Sequence, residues 1–372
     1  MKTTIIIFII IVIGITAYTY REKIIARFFE PTESSIEQGQ IKEGEKSPEV
    51  IAEDLTIPWE LVFLPGGDML VTERPGRLLR IGKDRSVIEV RGVAHRGEGG
   101  LLGLALHPKF SENKLIYIYM TTARNGGLSN SVERYVLDGL ILSNRTVIIE
   151  NIPGASNHDG GRIAFGPDGL LYITTGDAGN EDNSQNKESL GGKILRVDEN
   201  GKVPKDNPFA NAVYSYGHRN VQGIAWDSMG VLWATEHGRS GVSSGYDEVN
   251  KIIKGANYGW PDNEGGKSSV GSISPELHSS SSETWAPSGM TYSNGHLVFA
   301  GLRGESLYVV SISDSKVQAV KSYFREKFGR LRTVTVGPDN MLYILTNNTD
   351  GRGSPSTTDD RIIRIDPKIL GL

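Results

Sequence analysis

The chain has 372 residues, of which 38% are hydrophobic and 23% are charged, and its formal net charge is −4. This balance supplies enough apolar material for a packed core and excludes bulk disorder, and the lack of a Lys/Arg-rich block excludes a nucleic-acid footprint. The sequence contains no cysteine, which excludes disulfides, thiolate metal sites and a cysteine nucleophile.

The first element in chain order is an apolar run from Ile5 to about Ala17, preceded by Lys2. A short positive start followed by such a run predicts an export signal, so we expect an extracytoplasmic protein: secreted, periplasmic or on the cell surface. The run from 3 to 20 is about 18 residues long, the lower limit for a membrane span. Residues 1–20 are therefore interpreted as a signal peptide or a membrane anchor, with a helix of the folded core as the remaining alternative.

The next segment, residues 21–50, is interpreted as a polar linker. Its second half is rich in Glu, Ser, Gln, Gly and Lys. Such a composition cannot bury enough apolar surface to fold alone and is typical of a solvated tether.

Residues 51–372 contain a loosely repeated unit. Each unit has an apolar strand, a Pro/Asp/Gly turn, a second apolar strand and a Gly/Asp-rich loop, and the turns recur every 43 to 65 residues. Because a four-stranded propeller blade needs about 40 to 50 residues, the repeat predicts an all-β fold: one six-bladed β-propeller of four-stranded antiparallel blades. A sandwich or a two-domain β protein is the competing architecture. The turns lie at 64–67, 107–109, 166–169, 227–230, 292–295 and 337–340.

Polar residues of unusual chemistry stand at matching places in these units. The start of the first strand and the end of the second lie opposite the turn, so a propeller would gather them at one mouth of its channel. Each residue alone has an ordinary interpretation as a turn cap, a surface pair or a solvated strand end, but their common location favours a binding site. They are Glu98, His158, Arg219, Asn220, Gln222, Arg330 and Arg332 at strand starts, and Asp177, Glu236 and Arg303 at strand ends.

These residue types indicate a particular chemistry. The arginines suit a ligand with several carboxylates or phosphates. His158 can take a proton near neutral pH, especially if Asp177 orients it. Carbonyl oxygens of residues 236–239 and the acidic pair 247–248 are hard ligands that favour Ca²⁺. An anionic ligand, a base and a calcium ion are thus predicted, without identifying the cofactor.

Several blocks also resemble a known family. They follow one another between about residues 55 and 366 and read GEGGLLGLALHP, NHDGGRIAFGPDGLLYITTGD, YGHRNVQGIAW, TEHG followed by DEVN, GANYGWP and GRLRTVTVGPDNMLY. Together they resemble the soluble dehydrogenases of glucose and other aldoses that depend on pyrroloquinoline quinone (PQQ). The resemblance implies a six-bladed propeller that binds PQQ and Ca²⁺ at its mouth. It also implies oxidation of an aldose to an aldonolactone, with electrons passed to an external acceptor.

The resemblance assigns a role to each motif residue. His158 resembles the general base that deprotonates the anomeric hydroxyl while hydride passes to PQQ, Asp177 the carboxylate that supports this base, and Arg219 the group that stabilises the quinone oxyanion. The remaining roles concern binding of cofactor and metal. Glu98, Asn220, Gln222, Arg303, Arg330 and Arg332 would contact PQQ, the carbonyls of Gly238 and Arg239 would bind the calcium that polarises the quinone, and Glu248 with the Tyr258 carbonyl would bind a second, structural calcium.

The sequence departs from the family pattern at three of these positions. The family often has glutamine where this chain has Glu98, a carboxylate that would repel an anionic cofactor or accept a proton from it. Lysine is usual at Arg303, and proline is frequent at Arg239. The aromatic residue that stacks on substrate has two candidates, Trp285 and Trp59.

The sequence leaves two other functions open. One is a calcium-dependent lactonase or phosphotriesterase propeller, whose metal is held by several Asp, Asn and Glu side chains. The other is a non-catalytic binding propeller. The arginines count against the first alternative, and the presence of His158 with Arg219 counts against the second.

Overall fold

The computed structural model describes residues 34–41, 48–124, 126–239, 245–267 and 269–372. Their strands form six four-stranded antiparallel sheets, and the inner strands of successive sheets contact one another around a ring. The predicted six-bladed propeller is therefore confirmed. The predicted N-terminal segment 1–20 lies outside the described residues. Within the described part of the chain, no helix combines the length and apolar character needed to cross a bilayer.

Each blade runs from an innermost strand at the channel to an outermost strand at the rim. In that direction, blades 1 to 3 are β2 (Pro58–Phe63), β3 (Met69–Glu73), β4 (Arg77–Ile81) and β5 (Arg85–Glu89); β6 (Leu101–Leu106), β7 (Leu115–Arg124), β8 (Gly127–Asp138) and β9 (Ile141–Gly154); and β10 (Ile163–Phe165), β11 (Leu171–Thr174), β12 (Lys193–Val197) and β13 (Val213–Tyr216). Blades 4 to 6 are β14 (Val221–Trp226), β15 (Leu232–Glu236), β16 (Glu248–Lys251) and β17 (Leu277–His278); β18 (Pro287–Ser293), β19 (His296–Gly301), β20 (Leu307–Ser313) and β21 (Lys316–Tyr323); and β22 (Leu331–Val336), β23 (Leu342–Thr346), β24 (Ile362–Ile365) and β1 (Glu49–Ala52). The short helices are α1 (Phe110–Asn113), α2 (Asp182–Gln185) and a 3₁₀ helix (Pro367–Leu370).

Burial differs between the inner and outer strands of a blade. Every residue of β3 and of β12 is buried, whereas β5 at the rim has exposed residues at its first, third and fifth positions. Inner strands are covered on both faces by the neighbouring blades, so they are rich in apolar and β-branched residues, while a rim strand has one face in water. The core accordingly lies between successive blades.

The predicted turns join β2 to β3 and the equivalent strands of the other blades. Gly169 has φ +76° and Asn340 has φ +60° at the corresponding place in blades 3 and 6. These residue types adopt the left-handed region at low cost, which explains their position in tight hairpins. The strand ends opposite these turns surround one end of the channel, which we call the mouth.

The ring of six blades is closed by strands from the two ends of the propeller segment. Strand β1 pairs with β24, so that Glu49 lies opposite Arg364 and Val50 opposite Ile363. The outermost strand of blade 6 therefore comes from the N-terminal side of the propeller, while the other three strands come from its C-terminal side. Such pairing leaves no open seam between the first and last blades.

Part of the predicted linker contacts blade 5. The Gly39 N–H donates to the Ser322 carbonyl over 2.8 Å, and the Ser322 N–H donates to the Glu37 carbonyl over 3.0 Å. The buried Glu283 carboxylate accepts hydrogen bonds from the Ser34 hydroxyl, over 2.6 Å, and from the Ser35 N–H, over 2.9 Å. Residues 34–41 therefore lie along the outer side of the blade.

Candidate functional site

The central feature of the mouth is a histidine–aspartate pair. His158 precedes β10 and Asp177 follows β11, so antiparallel pairing of these strands brings the two residues together. The His158 Nδ1–H donates to Asp177 Oδ1 over 2.7 Å, and the two side chains are 12% and 1% exposed. This contact places the proton on Nδ1 and leaves Nε2 as the nitrogen that can accept one.

The main chain of His158 is held in an unusual conformation. Its φ is +58°, in the left-handed region that non-glycine residues seldom adopt. Its N–H donates to Glu98 Oε2 over 2.9 Å, and its carbonyl accepts from the Ala178 N–H over 3.2 Å. Contacts on both sides therefore fix the imidazole direction.

Asp177 is held as a carboxylate by several donors. Oδ1 also accepts the Gly179 N–H over 2.8 Å, and Oδ2 accepts the Trp260 indole N–H over 2.9 Å. Burial acts to raise the pKa of Asp177, but the His158 hydrogen bond and charge, the Gly179 N–H and Arg219 outweigh burial and lower that pKa below its usual value. The carboxylate can therefore stabilise a positive charge on His158.

Arg219 and Asn220 precede β14 and extend the site. The Arg219 carbonyl accepts the Asp177 N–H over 2.8 Å, and its guanidinium lies 5.3 Å from the centre of the Trp260 ring. Asn220 Oδ1 accepts the Gly160 N–H over 3.0 Å and the Gln222 amide over 3.1 Å. Blades 3 and 4 are thus joined at the mouth.

Two buried arginines stand on the opposite side. Arg332 donates to Gln222 Oε1 over 3.0 Å, and Arg330 donates to Asp350 Oδ2 over 3.2 Å. Burial lowers the pKa of Arg332 to about 9, and the nearby Arg74 adds to this effect. Arg303 also approaches this region, and burial lowers the pKa of its guanidinium. The mouth therefore has a cationic lining, as an anionic ligand requires.

Several buried donors in this lining have no hydrogen-bond partner among the described residues. Unpaired buried donors are rare in folded proteins, and such a group needs an explanation such as a ligand or a water molecule. The donors at the mouth are Asn220 Nδ2, Arg330 Nε and Arg332 Nε, and the ring nitrogen Nε2 of His237 is a further buried polar atom without a partner.

The environment of Glu98 does not match either effect expected from the sequence. The Arg352 guanidinium donates to Glu98 Oε1 over 2.8 Å. Burial acts to raise the pKa of Glu98, but Arg352, then His158 and His237, lower it well below its usual range. Glu98 therefore stays ionised and is a poor proton acceptor, and its charge is compensated.

The four predicted calcium ligands lie at or near the mouth. The Gly238 N–H donates to Asp247 Oδ1 over 2.9 Å, and the Arg239 side chain pairs with Glu264. Glu248 and Tyr258 both line a small cavity. Burial and the charge of Glu236 raise the pKa of Glu248. Among the described residues, no three or more His, Asp or Glu side chains converge as a metal cluster.

The two aromatic candidates for substrate stacking are not supported. Trp59 and Trp285 are each 2% exposed. Trp285 packs against Phe299 and Tyr308, and the Arg162 guanidinium covers Trp59 at 4.1 Å. Each indole is covered by protein, so neither offers a face to a ligand.

Sequence reasoning missed Trp260 and Arg352. Trp260 lies in the quoted block GANYGWP, and its place beside a Gly-Trp-Pro turn was the available signal. Arg352 lies in a polar Asp-Gly-Arg-Gly segment after β23, which gave no signal of its own. Both contact predicted site residues.

Comparison with known proteins finds sugar dehydrogenases among the relatives of this chain. A 32% identical relative, the aldose sugar dehydrogenase of Escherichia coli, aligns over 82% of this chain and 90% of its own length. Quinoprotein glucose dehydrogenase B of Acinetobacter calcoaceticus is 33% identical over 60% of this chain and 54% of its own. The PQQ-bound aldose sugar dehydrogenase of Streptomyces coelicolor superposes with a TM-score of 0.80 and 41% identity, covering 86% of this chain and 98% of the other.

The match to a family profile covers most of the propeller. The profile describes the Glucose / Sorbosone dehydrogenase family and matches residues 55–363, which include every residue of the mouth discussed so far. The chain therefore belongs to the glucose/sorbosone dehydrogenase family.

Proposed function

We propose that this protein is a PQQ-dependent aldose dehydrogenase that oxidises the anomeric carbon of a sugar to the aldonolactone. The observation that carries the proposal is the His158–Asp177 pair beside a mouth lined with buried arginines. A base aimed at the mouth and a cationic surface around it are the two groups that deprotonation of a sugar hydroxyl next to an anionic quinone requires.

The residues present fit PQQ. This cofactor carries three carboxylates and quinone oxygens on a flat ring, so it needs many donors and few acceptors. The unpaired Nε atoms of Arg330 and Arg332 and the unpaired Asn220 amide supply such donors. The PQQ-bound state of the Streptomyces relative adds support.

Three residues of the chain would then carry out proton transfer and charge stabilisation. His158 Nε2 would accept the proton of the anomeric hydroxyl, and Asp177 would stabilise the resulting imidazolium through Nδ1. Arg219, held against Trp260, would stabilise negative charge that develops on a neighbouring oxygen. PQQ, when bound, would supply the acceptor for the hydride.

Calcium is part of the proposal. The carbonyl oxygens of Gly238 and Arg239 would hold one ion at the mouth, where a Lewis acid polarises a carbonyl. Glu248 and the Tyr258 carbonyl would hold a second, structural ion. Support comes from the donor set, since buried carboxylate and carbonyl oxygens are the ligands that Ca²⁺ prefers.

Location and electron transfer are proposed from the sequence alone. The apolar segment at 1–20 supports export, either with cleavage or with retention as an anchor. Electrons would then pass to an external acceptor outside the cytoplasm.

The test uses residues 34–372 prepared without cofactor. We would add PQQ and Ca²⁺ and follow aldose-dependent reduction of an artificial dye, with calcium chelation and omission of PQQ as parallel measurements. We expect turnover that needs both additions. The matched variant is His158→Ala, for which we expect retained PQQ binding and little turnover.

The alternatives give different results in the same experiment. Absence of PQQ binding and of dye reduction over a panel of aldoses would reject the proposal. Cofactor-free hydrolysis of a lactone would then favour a hydrolase, and neither activity would favour a binding protein.

A further inference from the structure

Glu98 contacts two different parts of the mouth. Its Oε2 accepts the main-chain N–H of His158 over 2.9 Å, and its Oε1 accepts Arg352 Nη1 over 2.8 Å. His158 precedes blade 3, whereas Arg352 lies in the loop between β23 and β24 of blade 6. One carboxylate thus connects the base to a loop on another blade.

The segment that carries Glu98 is packed tightly against the segment that carries His158. The Glu98 N–H donates to the Ser156 carbonyl over 2.9 Å. A Cβ atom on Gly97 would lie 2.0 Å from that same carbonyl oxygen, and Gly97 has φ +60°. Only glycine fits at position 97, because the two segments approach each other so closely, and this approach places the Glu98 side chain beside the His158 segment.

Arg352 is itself fixed within its loop. Its N–H donates to Asp350 Oδ1 over 2.9 Å, and Asp350 Oδ2 accepts Arg330 Nη2 over 3.2 Å. Glu98, Arg352, Asp350 and Arg330 thus form a row of alternating charges from the base to the arginines on the other side. Each carboxylate in the row has a guanidinium beside it, as buried ionised groups require.

The charge of Glu98 is a permanent feature of the mouth. Arg352, His158 and His237 keep the pKa of Glu98 low in spite of burial, and Glu98 in turn raises the pKa of Arg352. An uncompensated carboxylate at this place would repel a ligand with several negative charges. The Glu98–Arg352 pair presents no net charge.

We propose that Arg352 is a positioning residue: it neutralises Glu98 and directs one carboxylate oxygen to the His158 N–H, so that the mouth can hold an anionic cofactor with glutamate at position 98. This inference rests on the proposed function, because the anionic cofactor in question is PQQ. It assigns a role to a residue that does not itself take part in proton transfer.

The first test is a cycle of four proteins: wild type, Glu98→Gln, Arg352→Gln and the double variant. PQQ is titrated into each cofactor-free protein with Ca²⁺ present, and tryptophan fluorescence gives the dissociation constant. Arg352→Gln should weaken binding by about tenfold or more, because it leaves the Glu98 charge facing the ligand. The double variant should recover to within about threefold of wild type, since the charge is then gone.

Arg80→Gln is the matched control. Arg80 pairs with Asp68 over 2.7 Å, and these side chains are 35% and 32% exposed, against 34% and 22% for Arg352 and Glu98. The Arg80–Asp68 pair lies at the turn end of blade 1, away from the mouth, so it tests the loss of one arginine charge alone. Its binding constant should equal that of wild type.

The second test needs no cofactor and separates the two proposals. The main-chain amide signal of His158, assigned in the ¹⁵N-labelled apoprotein, should shift in both Glu98→Gln and Arg352→Gln and stay in place in Arg80→Gln. If wild type binds no PQQ, the proposed function fails, and this amide signal still decides whether Arg352 positions Glu98. An unmoved His158 amide in Arg352→Gln, or a double variant that binds PQQ as weakly as Arg352→Gln, would overturn the inference.

Discussion

Two histidine–carboxylate pairs lie within blades 3 and 4, and they differ in whether the second ring nitrogen, Nε2, is hydrogen-bonded within the protein. His158 donates from Nδ1 to Asp177 over 2.7 Å, and His218 donates from Nδ1 to Glu236 over 2.8 Å. The His218 ring is fully buried and its Nε2 is bonded to the Ser215 hydroxyl over 2.8 Å. The His158 ring is 12% exposed, and its Nε2 points away from the carboxylate.

The comparison shows that the carboxylate partner does not make a histidine reactive. A ring whose two nitrogens are both bonded within the protein is a structural link, because neither nitrogen can exchange a proton with a ligand. A ring with one nitrogen held and the other accessible is oriented for proton transfer. The second nitrogen therefore separates the two roles.

The largest effect is expected from removing His158 Nε2, the accessible ring nitrogen. His158→Gln keeps a polar side chain of similar size but removes the base, so kcat should fall by about 10³- to 10⁴-fold. Steady-state dye reduction and PQQ titration on the same preparation measure the two properties. Unchanged kcat would show that another group takes the proton.

The next largest effect is expected from changing the partner of His158 Nδ1, the ring nitrogen bonded to Asp177. Asp177→Asn replaces the carboxylate that accepts the His158 Nδ1–H with an amide. The amide N–H favours the tautomer with the proton on Nε2, and the neutral side chain no longer stabilises the imidazolium. We expect kcat to fall by about 10²- to 10³-fold, with the dissociation constant of PQQ nearly unchanged. A comparable loss of PQQ binding would instead indicate that Asp177 contacts the cofactor.

The buried pair should respond in stability instead. His218→Gln removes the ring N–H that donates to Glu236 Oε2 in a buried place, while Glu236 Oε1 still accepts the Arg219 N–H. Loss of this buried contact should cost about 1 to 3 kcal/mol of unfolding free energy. Urea unfolding of the apoprotein measures this cost, and kcat should fall far less than in His158→Gln. An equal fall in kcat would remove the distinction between the two pairs.

The fold was largely predictable because its signals are local. Turn residues and apolar strands recur in each unit, and pairing within a blade follows from sequence order. The exception is β1, whose pairing of Val50 with Ile363 joins opposite ends of the chain. A strand of four residues without a turn beside it carries too weak a pattern to reveal such a partner.

The candidate site was predictable where the blade pattern fixes position. His158 and Asp177 flank paired strands, so topology alone brings them together. Arg352 and Glu98 are 254 positions apart, and Trp260 and Asp177 are 83 apart, and each contact depends on the path of a loop. Trp59, one of the two aromatic candidates, is covered by protein, and residue type alone does not reveal which face of β2 is covered.

Trp260 allows a finer test of how the His158 pair is held. Trp260→Phe retains a ring beside Arg219 but removes the indole N–H that binds Asp177 Oδ2. Loss of one such hydrogen bond is worth about 1 kcal/mol, so kcat should fall by about three- to tenfold. The control is Trp260→Leu, which also removes the stacking on Arg219 and should cost more. Equal effects of the two variants would show that the stacking contributes nothing, whereas an unchanged kcat in Trp260→Phe would show that the N–H contributes nothing.

The smallest effect is a pH slope that separates the two carboxylates next to His158. The pKa of Asp177 is lowered in the folded state, so its contribution to stability is present above the unfolded pKa of about 3.9 and is lost as the pH falls through the folded value. Burial raises the pKa of Asp159 to about 7, so its contribution is complete below about 3.9 and is lost as the pH rises through about 7. Relative to wild type, the unfolding free energy of Asp177→Asn should therefore rise as the pH falls below about 3.9. The unfolding free energy of Asp159→Asn relative to wild type should rise with pH between about 4 and 7. Each change should be at most about 1.4 kcal/mol per pH unit. Urea unfolding of the three apoproteins from well below about pH 3.9 up to about pH 7 covers both ranges and measures the difference. Slopes of the same sign would contradict the assignment of Asp177 as the ionised partner of the base.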